Sequence, residues 1–305
     1  MSFFVGIDVG GTKIAGILID RNLRTYSFLK VSIDGEKDPK KVVEKIALLK
    51  DSLVRALPKA KEVSAIGIVI PGVLDINEGV VVESANLGWK NVRIKEMIEE
   101  RLGLKSYLEH DVRAGAIAEL HFGMGEKFTS FLYVSVGTGI AATFVHDRKV
   151  VRGANGISGE IGHTTVHPCG PECRCGRKGC LEALSSGIAM ERDVFYLVGK
   201  RIKGEIIMEE AKKGMYPFLN VVKSAAFYLG VALANLTKIF DPEAIILGGG
   251  VSESGEFWLK LVEESYLSNL FERNKATRLF LGKFKSRASV VGAALLPLVV
   301  GSKDE

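Results

Sequence analysis

Asp8-Val9-Gly10-Gly11-Thr12-Lys13 lies between two apolar runs, residues 3–7 and 14–19. Apolar run, glycine turn, apolar run is the pattern of a buried β-hairpin. The turn carries an acid, two glycines, a hydroxyl and an amine. Glycine lets backbone N–H groups approach an anion closely. Thr12 and Lys13 add a neutral donor and a point charge suited to phosphate, and Asp8 at the strand end can hold Mg²⁺ through water. Alone, the stretch also reads as an ordinary Gly-Gly hairpin with a surface lysine.

A second unit of the same kind lies far downstream. Residues 131–136 are apolar, Gly137-Thr138-Gly139 closes them, and residues 140–145 return as a strand. Two such hairpins facing each other across a cleft could grip a polyphosphate from both sides. No G-x-x-x-x-G-K-S/T loop occurs. The glycine turns lead into strands and not helices, which excludes a dinucleotide fingerprint.

The 305 residues suit two domains or one large α/β unit, and 47% hydrophobic with 25% charged content is globular. A formal charge of +5 without a long basic run favours anionic small molecules over nucleic acid. Met1-Ser2 leads straight into a strand without a basic leader, so no signal peptide is expected. The most apolar helical stretch, residues 224–237, is uncharged for about 14 residues, short of the roughly 20 that span a bilayer. A cytoplasmic protein without a membrane segment is the expectation.

Further along, residues 24–32 read as a third strand. Residues 39–57 form an amphipathic helix ended by Pro58, and residues 65–70 a buried strand closed by Pro71-Gly72. Residues 79–83 are a short strand, and 84–89 a polar loop beside an aromatic. A helix over 95–102 with Gly103 as its cap leads to a strand over 106–109, then to a helix reaching about residue 122. After the second hairpin come a glycine-rich loop, a cysteine-rich segment and long helices. A strand over 244–247 closed by Gly248-Gly249-Gly250, a helix, a strand near 278–284 and an apolar helix over 288–300 finish the chain. The expected architecture is two α/β lobes of related design. Residues 1–109 form the smaller lobe, with a C-terminal helix, 288–305, packing back on it. Residues 110–287 form the larger lobe, carrying a metal loop over 163–180.

All four cysteines, Cys169, Cys173, Cys175 and Cys180, lie within twelve residues. In a reducing compartment, clustering of this kind argues for a metal more than a disulfide. C-x-C-x₄-C supplies three close thiolates for Zn²⁺, with Cys169, His163 or His167 as the fourth ligand. Four protein ligands leave no open position, so the metal is expected to be structural. Asp111, at a strand end beside His110, is a candidate general base toward a hydroxyl that attacks phosphorus. It equally suits the N-cap of the following helix. Glu160, His163 and Glu182 flank the cysteines and have the chemistry of sugar-hydroxyl partners, although both acids also read as solvated loop charges.

The chain resembles the sugar-kinase branch of the ROK family (repressors, open reading frames, kinases). The resemblance is carried by residues 8–13, Pro71-Gly72, Asp111, Gly137-Thr138-Gly139, Gly159-Glu160-Ile161-Gly162-His163, the Cys173-x-Cys175-Gly176-x-x-Gly179-Cys180-Leu181-Glu182 run, and Asp241-Pro242-Glu243 leading to Gly248-Gly249-Gly250. It implies the two-lobed actin-like ATPase and sugar-kinase fold with an interlobe cleft, and ATP-dependent phosphorylation of a hexose 6-hydroxyl. Under it, ATP and Mg²⁺ involve Asp8, Gly10, Gly11, Thr12, Lys13, Gly137, Thr138, Gly139, Gly248, Gly249 and Gly250. Asp111 is the base, and the sugar contacts are Gly72, Asn86, His110, Asp111, Glu160, His163 and Glu182. The resemblance favours His163, Cys173, Cys175 and Cys180 as the zinc ligands, with the second imidazole nitrogen reaching the sugar, and it implies a homodimer. Such kinases usually carry Asn where this chain has His110. A neutral imidazole presents one donor and one acceptor on opposite ring edges, unlike the paired groups of an amide. The hexose preferred is therefore expected to differ. The rival expectation is a sugar-sensing regulator; with only two residues ahead of the first strand, no helix-turn-helix is expected to precede it.

Overall fold

A computed structural model describes residues 2–57, 62–272 and 276–300. Pro58, expected to end the first helix, lies outside the described residues, as do positions 301–305 of the expected C-terminal segment. The chain separates into two compact units. Unit 1 takes Met1–Ala118, Gly153–Ile157 and Arg287–Glu305; unit 2 takes Glu119–Arg152 and Ser158–Ser286.

Unit 1 is built on a sheet of β1 (Phe3–Val9), β2 (Lys13–Asp20), β3 (Thr25–Ser32), β4 (Val63–Val69) and β8 (Ser106–Glu109), ordered β3-β2-β1-β4-β8. The expected hairpin is present, with Val9 opposite Ile14 and Asp8 opposite Ala15. β4 and β8 run parallel to β1, so Asp8 registers with Val69 and Val69 with Glu109. Three parallel strands therefore end at one edge of the sheet. At that edge stand Asp8, the Pro71-Gly72 turn and His110-Asp111, where open α/β sheets collect their ligands.

Helices cover both faces. On one lies α1 (Pro39–Val54), which starts with an N-cap Asp38 that accepts from the Lys40 N–H and ends short of the expected residue 57. Its Leu49 and Leu53 fill the space over Gly16. The other face is covered by α9 (Ala288–Val299), which packs on β1, β4 and β8. A Cβ at Gly67 would lie 1.8 Å from the Ala293 carbonyl oxygen, and one at Gly292 would lie 1.9 Å from that of Ala114. Only glycine lets α9 lie so close to both the sheet and α3 (Asp111–Phe122). A small sheet of β5 (Val73–Asp75), β6 (Val80–Ser84) and β7 (Trp89–Val92) adjoins α2 (Ile94–Leu102). The polar reading of residues 84–89 missed that Trp89 begins a strand. Its ring is buried and its indole N–H donates to the Lys37 carbonyl at 2.6 Å. As expected, α2 ends on Gly103 in a left-handed conformation.

Unit 2 repeats the plan. β9 (Phe131–Val136), β10 (Ile140–His146), β11 (Lys149–Val150), β12 (Ala244–Gly248) and β13 (Arg278–Leu281) are ordered β11-β10-β9-β12-β13. β9–β10 is an antiparallel hairpin, and β12 and β13 are parallel to β9. The connections are helical: α4 (Leu181–Ser185), α5 (Gly187–Val198), α6 (Gly204–Lys212), α7 (Phe218–Phe240) and α8 (Glu256–Ser268). α7 is long and apolar enough to cross a bilayer by length and composition, more than the uncharged stretch suggested. Val222, Leu229 and Leu233 on it are buried in the unit 2 core with Trp258 and Val262 of α8, so it is read as a core helix.

Candidate functional site

In unit 1 the first helical residue of α3 is Asp111. The helix starts one position earlier than the N-cap reading assumed, because the His110 carbonyl already accepts from the Ala114 N–H at 2.9 Å. Asp111 Oδ1 accepts from the Val112 N–H at 2.8 Å and lies 3.1 Å from His110 Nδ1. That oxygen is held, while Oδ2 has no protein partner among the described residues. His110 is buried.

Asp8 stands near this carboxylate. Burial, and then the charge of Asp111, pushes it from 3.8 up to about 6, against the opposing pull of a Ser289 hydroxyl donating to Oδ2 and of Lys13 and Lys30. Two carboxylates in a partly dry setting suit a divalent cation, which would relieve both the desolvation and the repulsion. Nothing in the sequence marked Ser289, which reaches Asp8 from α9. The turn beyond Asp8 closes with the Gly10 N–H donating to the Lys13 carbonyl at 3.0 Å, leaving Thr12 and Lys13 exposed at the tip. Asn86 lies against Gly11, its backbone oxygen 3.1 Å from where a Cβ on Gly11 would sit. Gly72 has a φ of 130°, and the neighbouring Ser84 hydroxyl donates to the Pro71 carbonyl at 2.7 Å. Unit 1 thus brings together Asp8, His110 and Asp111, and separately Gly11 and Asn86.

In unit 2 the second glycine turn has the same closure, the Gly137 N–H donating to the Gly139 carbonyl at 2.9 Å. Gly250 adjoins Gly137, so the Gly137–Thr138–Gly139 turn and the end of β12 meet. The first N–H of α5, on Gly187, donates to the Gly137 carbonyl at 2.7 Å, and Ser186 caps the helix through the Ala189 N–H. This sets the positive end of the α5 dipole beside the exposed Thr138. Glu182 lies under the same turn. Its Oε2 accepts from the Ile140 N–H at 3.1 Å and would be 2.4 Å from a Cβ on Gly139. A cavity is lined by Thr138, Glu182, Ser186 and Arg192 together with Cys173 and Arg174 of the cysteine loop. Glu160 is exposed just ahead of a short 3-10 turn, Ile161–His163.

The cysteine loop brings His163, Cys173, Cys175 and Cys180 together, with all four ligand atoms within 4.8 Å of one another. Cys173 Sγ is 3.6 Å from His163 Nδ1, and Cys175 Sγ is 3.6 Å from Cys180 Sγ. A tetrahedron with bonds of about 2.3 Å has edges of about 3.8 Å, so the donors stand where a thiophilic metal would hold them. Burial, and then Cys175 and Cys173, pushes the Cys180 thiol up to about 12, so its proton must leave when a metal enters. Cys169 is exposed and outside the cluster, and the His167 ring stacks instead on Tyr228. Because Nδ1 faces the thiols, His163 keeps Nε2 for another partner.

Two further residues beside Asp111 escaped the sequence reading. Glu109 accepts from the His110 N–H at 2.9 Å, and Arg113 lies 3.4 Å from the same Glu109 oxygen. The signal was present: a lone guanidinium in the otherwise apolar run from Val112 to Ala118.

Residues 4–299 match the family model of the ROK family. The ROK hexokinase of Thermus thermophilus is 35% identical with a TM-score of 0.81, over 99% of this chain and all of that one. The ROK family glucokinase of Streptomyces griseus, solved in complex with glucose and AMPPNP, is 30% identical with a TM-score of 0.86, over 97% and 99% of the two chains. The xylose repressor of Caldicellulosiruptor bescii is 30% identical over 94% of this chain and 76% of its own length. The fold is the actin-like sugar-kinase fold that the resemblance implied.

The raised pKa of Asp8 has a measurable consequence. Its ionisation destabilises the fold, a penalty that begins as pH rises past 3.8 and is complete above about 6. In buffer free of divalent cations, Asp8→Asn should therefore raise Tm by about 3 °C or more at pH 8. The gain should shrink as pH falls below about 6 and be absent near pH 3.8. Melts showing the largest gain in acid would contradict the assignment.

Proposed function

The chain belongs to the ROK family, and from that premise we propose that it transfers the γ-phosphoryl group of ATP to the 6-hydroxyl of a hexose, glucose or an N-acylated hexosamine. The observation that supports this most is the Asp111 carboxylate, one oxygen held by His110 and the Val112 N–H and the other available to a substrate hydroxyl. The likeness to a glucokinase that binds glucose and an ATP analogue supports the substrate pair.

In the proposed reaction Asp111 Oδ2 takes the proton of the sugar hydroxyl as its oxygen bonds to the γ-phosphorus. The bond from that phosphorus to the bridging oxygen breaks, and ADP leaves. In unit 1 the Gly10–Lys13 turn holds phosphate and Asp8 the cation; Mg²⁺, when bound, spreads the charge of the phosphate oxygens. In unit 2 Gly137–Gly139, the end of β12 and the α5 N-terminus favour an anion and its nucleoside. Glu160, His163 through Nε2, and Glu182 through its unused lone pairs bind hydroxyls, as do Asn86 and the Gly72 backbone in unit 1. The cysteine loop binds one structural zinc ion, which orients His163. ATP-dependent sugar phosphorylation also places the protein in the cytoplasm. The second reading, a sugar-responsive regulator without catalysis, is favoured by the likeness to xylose repressors. A coupled ADP-release assay across a hexose panel separates the two.

Asp111→Asn should lower kcat toward the upper end of the roughly 10²–10⁴-fold expected for a lost base, with sugar affinity nearly intact. Loss of the Asp111 charge also relieves its repulsion with Asp8, so Tm should not fall. Turnover at the wild-type rate would remove Asp111 from the chemistry.

His110→Asn should restore an amide beside the base and shift the ratio of kcat/KM between hexoses by about tenfold, the worth of one buried polar contact. Kinetics on glucose, mannose, fructose, allose and the N-acetylhexosamines test this. An unaltered ranking would confine His110 to orienting Asp111.

Metal analysis of protein purified without chelator should find one zinc per chain. Cys175→Ala and His163→Ala should lose it and raise the sugar KM, while Cys169→Ala keeps it. Release by Cys169→Ala and retention by His163→Ala would break the link from metal to sugar.

A further inference from the structure

Arg113 is the least expected side chain in unit 1. It lies in the first turn of α3, where the helix dipole disfavours a cation, and its side chain is 4% exposed. Burying a guanidinium is costly unless its donors are paired. One of its nitrogens faces Glu109 at 3.4 Å, and Nε has no partner. The remaining nitrogen, Nη2, donates to the carbonyl of Gly156.

Gly156 belongs to Gly153–Ile157, the short excursion by which the chain leaves unit 2, joins unit 1 and returns. The excursion has little of its own to hold it. The Gly156 N–H reaches the Gly153 carbonyl at 3.5 Å, and the Ser158 N–H reaches that of Arg152 at 3.3 Å. The Arg113 fork therefore ties this segment to the helix turn that begins with Asp111. Three residues beyond Ile157 comes Glu160.

Resting on the hexose-kinase reading, we infer that Arg113 is a positioning residue. Through Gly156 it sets the excursion that leads to Glu160, and through Glu109 it braces the turn of Asp111, so that it governs sugar affinity without touching sugar. Lysine cannot replace it, because a single ammonium lacks the planar fork that serves two acceptors at once.

The test is Arg113→Lys, with Glu109→Gln/Arg113→Met to remove both buried charges together. Sugar KM should rise about tenfold or more in both, with ATP KM unchanged and kcat within about threefold. Hydrogen exchange of residues 153–158 should speed up selectively. The double variant should recover Tm toward wild type while its sugar KM stays high. If sugar KM recovers along with Tm, or if exchange speeds up while KM is unchanged, Arg113 is structural and the inference is overturned. If the wild-type protein neither binds nor phosphorylates any hexose, the kinase reading fails. The Gly156 tie then stands or falls on exchange alone, and unaltered exchange in Arg113→Lys overturns it.

Discussion

Parallel pairing of β1 with β4 and of β4 with β8 places three strand ends on one edge of the unit 1 sheet. Asp8, next to the end of β1, and Asp111, just past β8, then share a neighbourhood, and the charge of Asp111 acts on Asp8. Solvent is partly excluded there, which strengthens that repulsion. Asp8 responds with a pKa of about 6, and the Ser289 hydroxyl offsets part of the strain. Ser289 can reach Asp8 because α9 lies directly on the sheet, and α9 lies there because Gly67 and Gly292 offer no Cβ. A backbone contact that only glycine permits is thus upstream of the electrostatics at the proposed cation site.

The two units share one topology and differ in what stands at matching strand ends. In unit 1 the edge of β1 carries Asp8, and the residue across on β4 is Val69. In unit 2 the matching pair is Ser135 and Gly248. One edge is acidic and suits a cation and proton transfer. The other is neutral, rich in backbone N–H groups and close to a capped helix N-terminus, and suits an anion. The same strand order thus carries different chemistry in each unit.

The cysteine loop is tied down by backbone bonds independent of any metal. The Cys173 N–H donates to the Arg177 carbonyl at 2.7 Å, and the Gly176 N–H to that of Cys173 at 2.9 Å. These local turns hold Cys173 and Cys175, while α4 presents Cys180 at its start. His163 arrives from the other side on its 3-10 turn. Fixing His163 and Glu182 on the two flanks of one loop couples the thiol cluster to the glycine turn at Gly139.

The residues by themselves determined whatever depends on near neighbours. Apolar runs on either side of a glycine turn can close only as hairpins, and both hairpins formed. The cysteine spacing announced a metal-type cluster, and an acid at a strand–helix junction announced a helix start with an available carboxylate. Where meaning depended on a distant partner, tertiary structure alone decided it. Ser289 meets Asp8 across 281 positions, Arg113 meets Gly156 across 43, and Glu182 meets Ile140 across 42. Spacing left Cys169, His163 and His167 open as the fourth ligand; the resemblance favoured His163, and the structure brings His163 beside the thiols. Of the small sheet only the strand over 79–83 was legible, and it is present as β6; β5 and β7 were hidden because strands of three and four residues carry little periodicity. Such contacts follow from strand register and from the burial of whole faces, which sum over many residues and leave no mark in any local window.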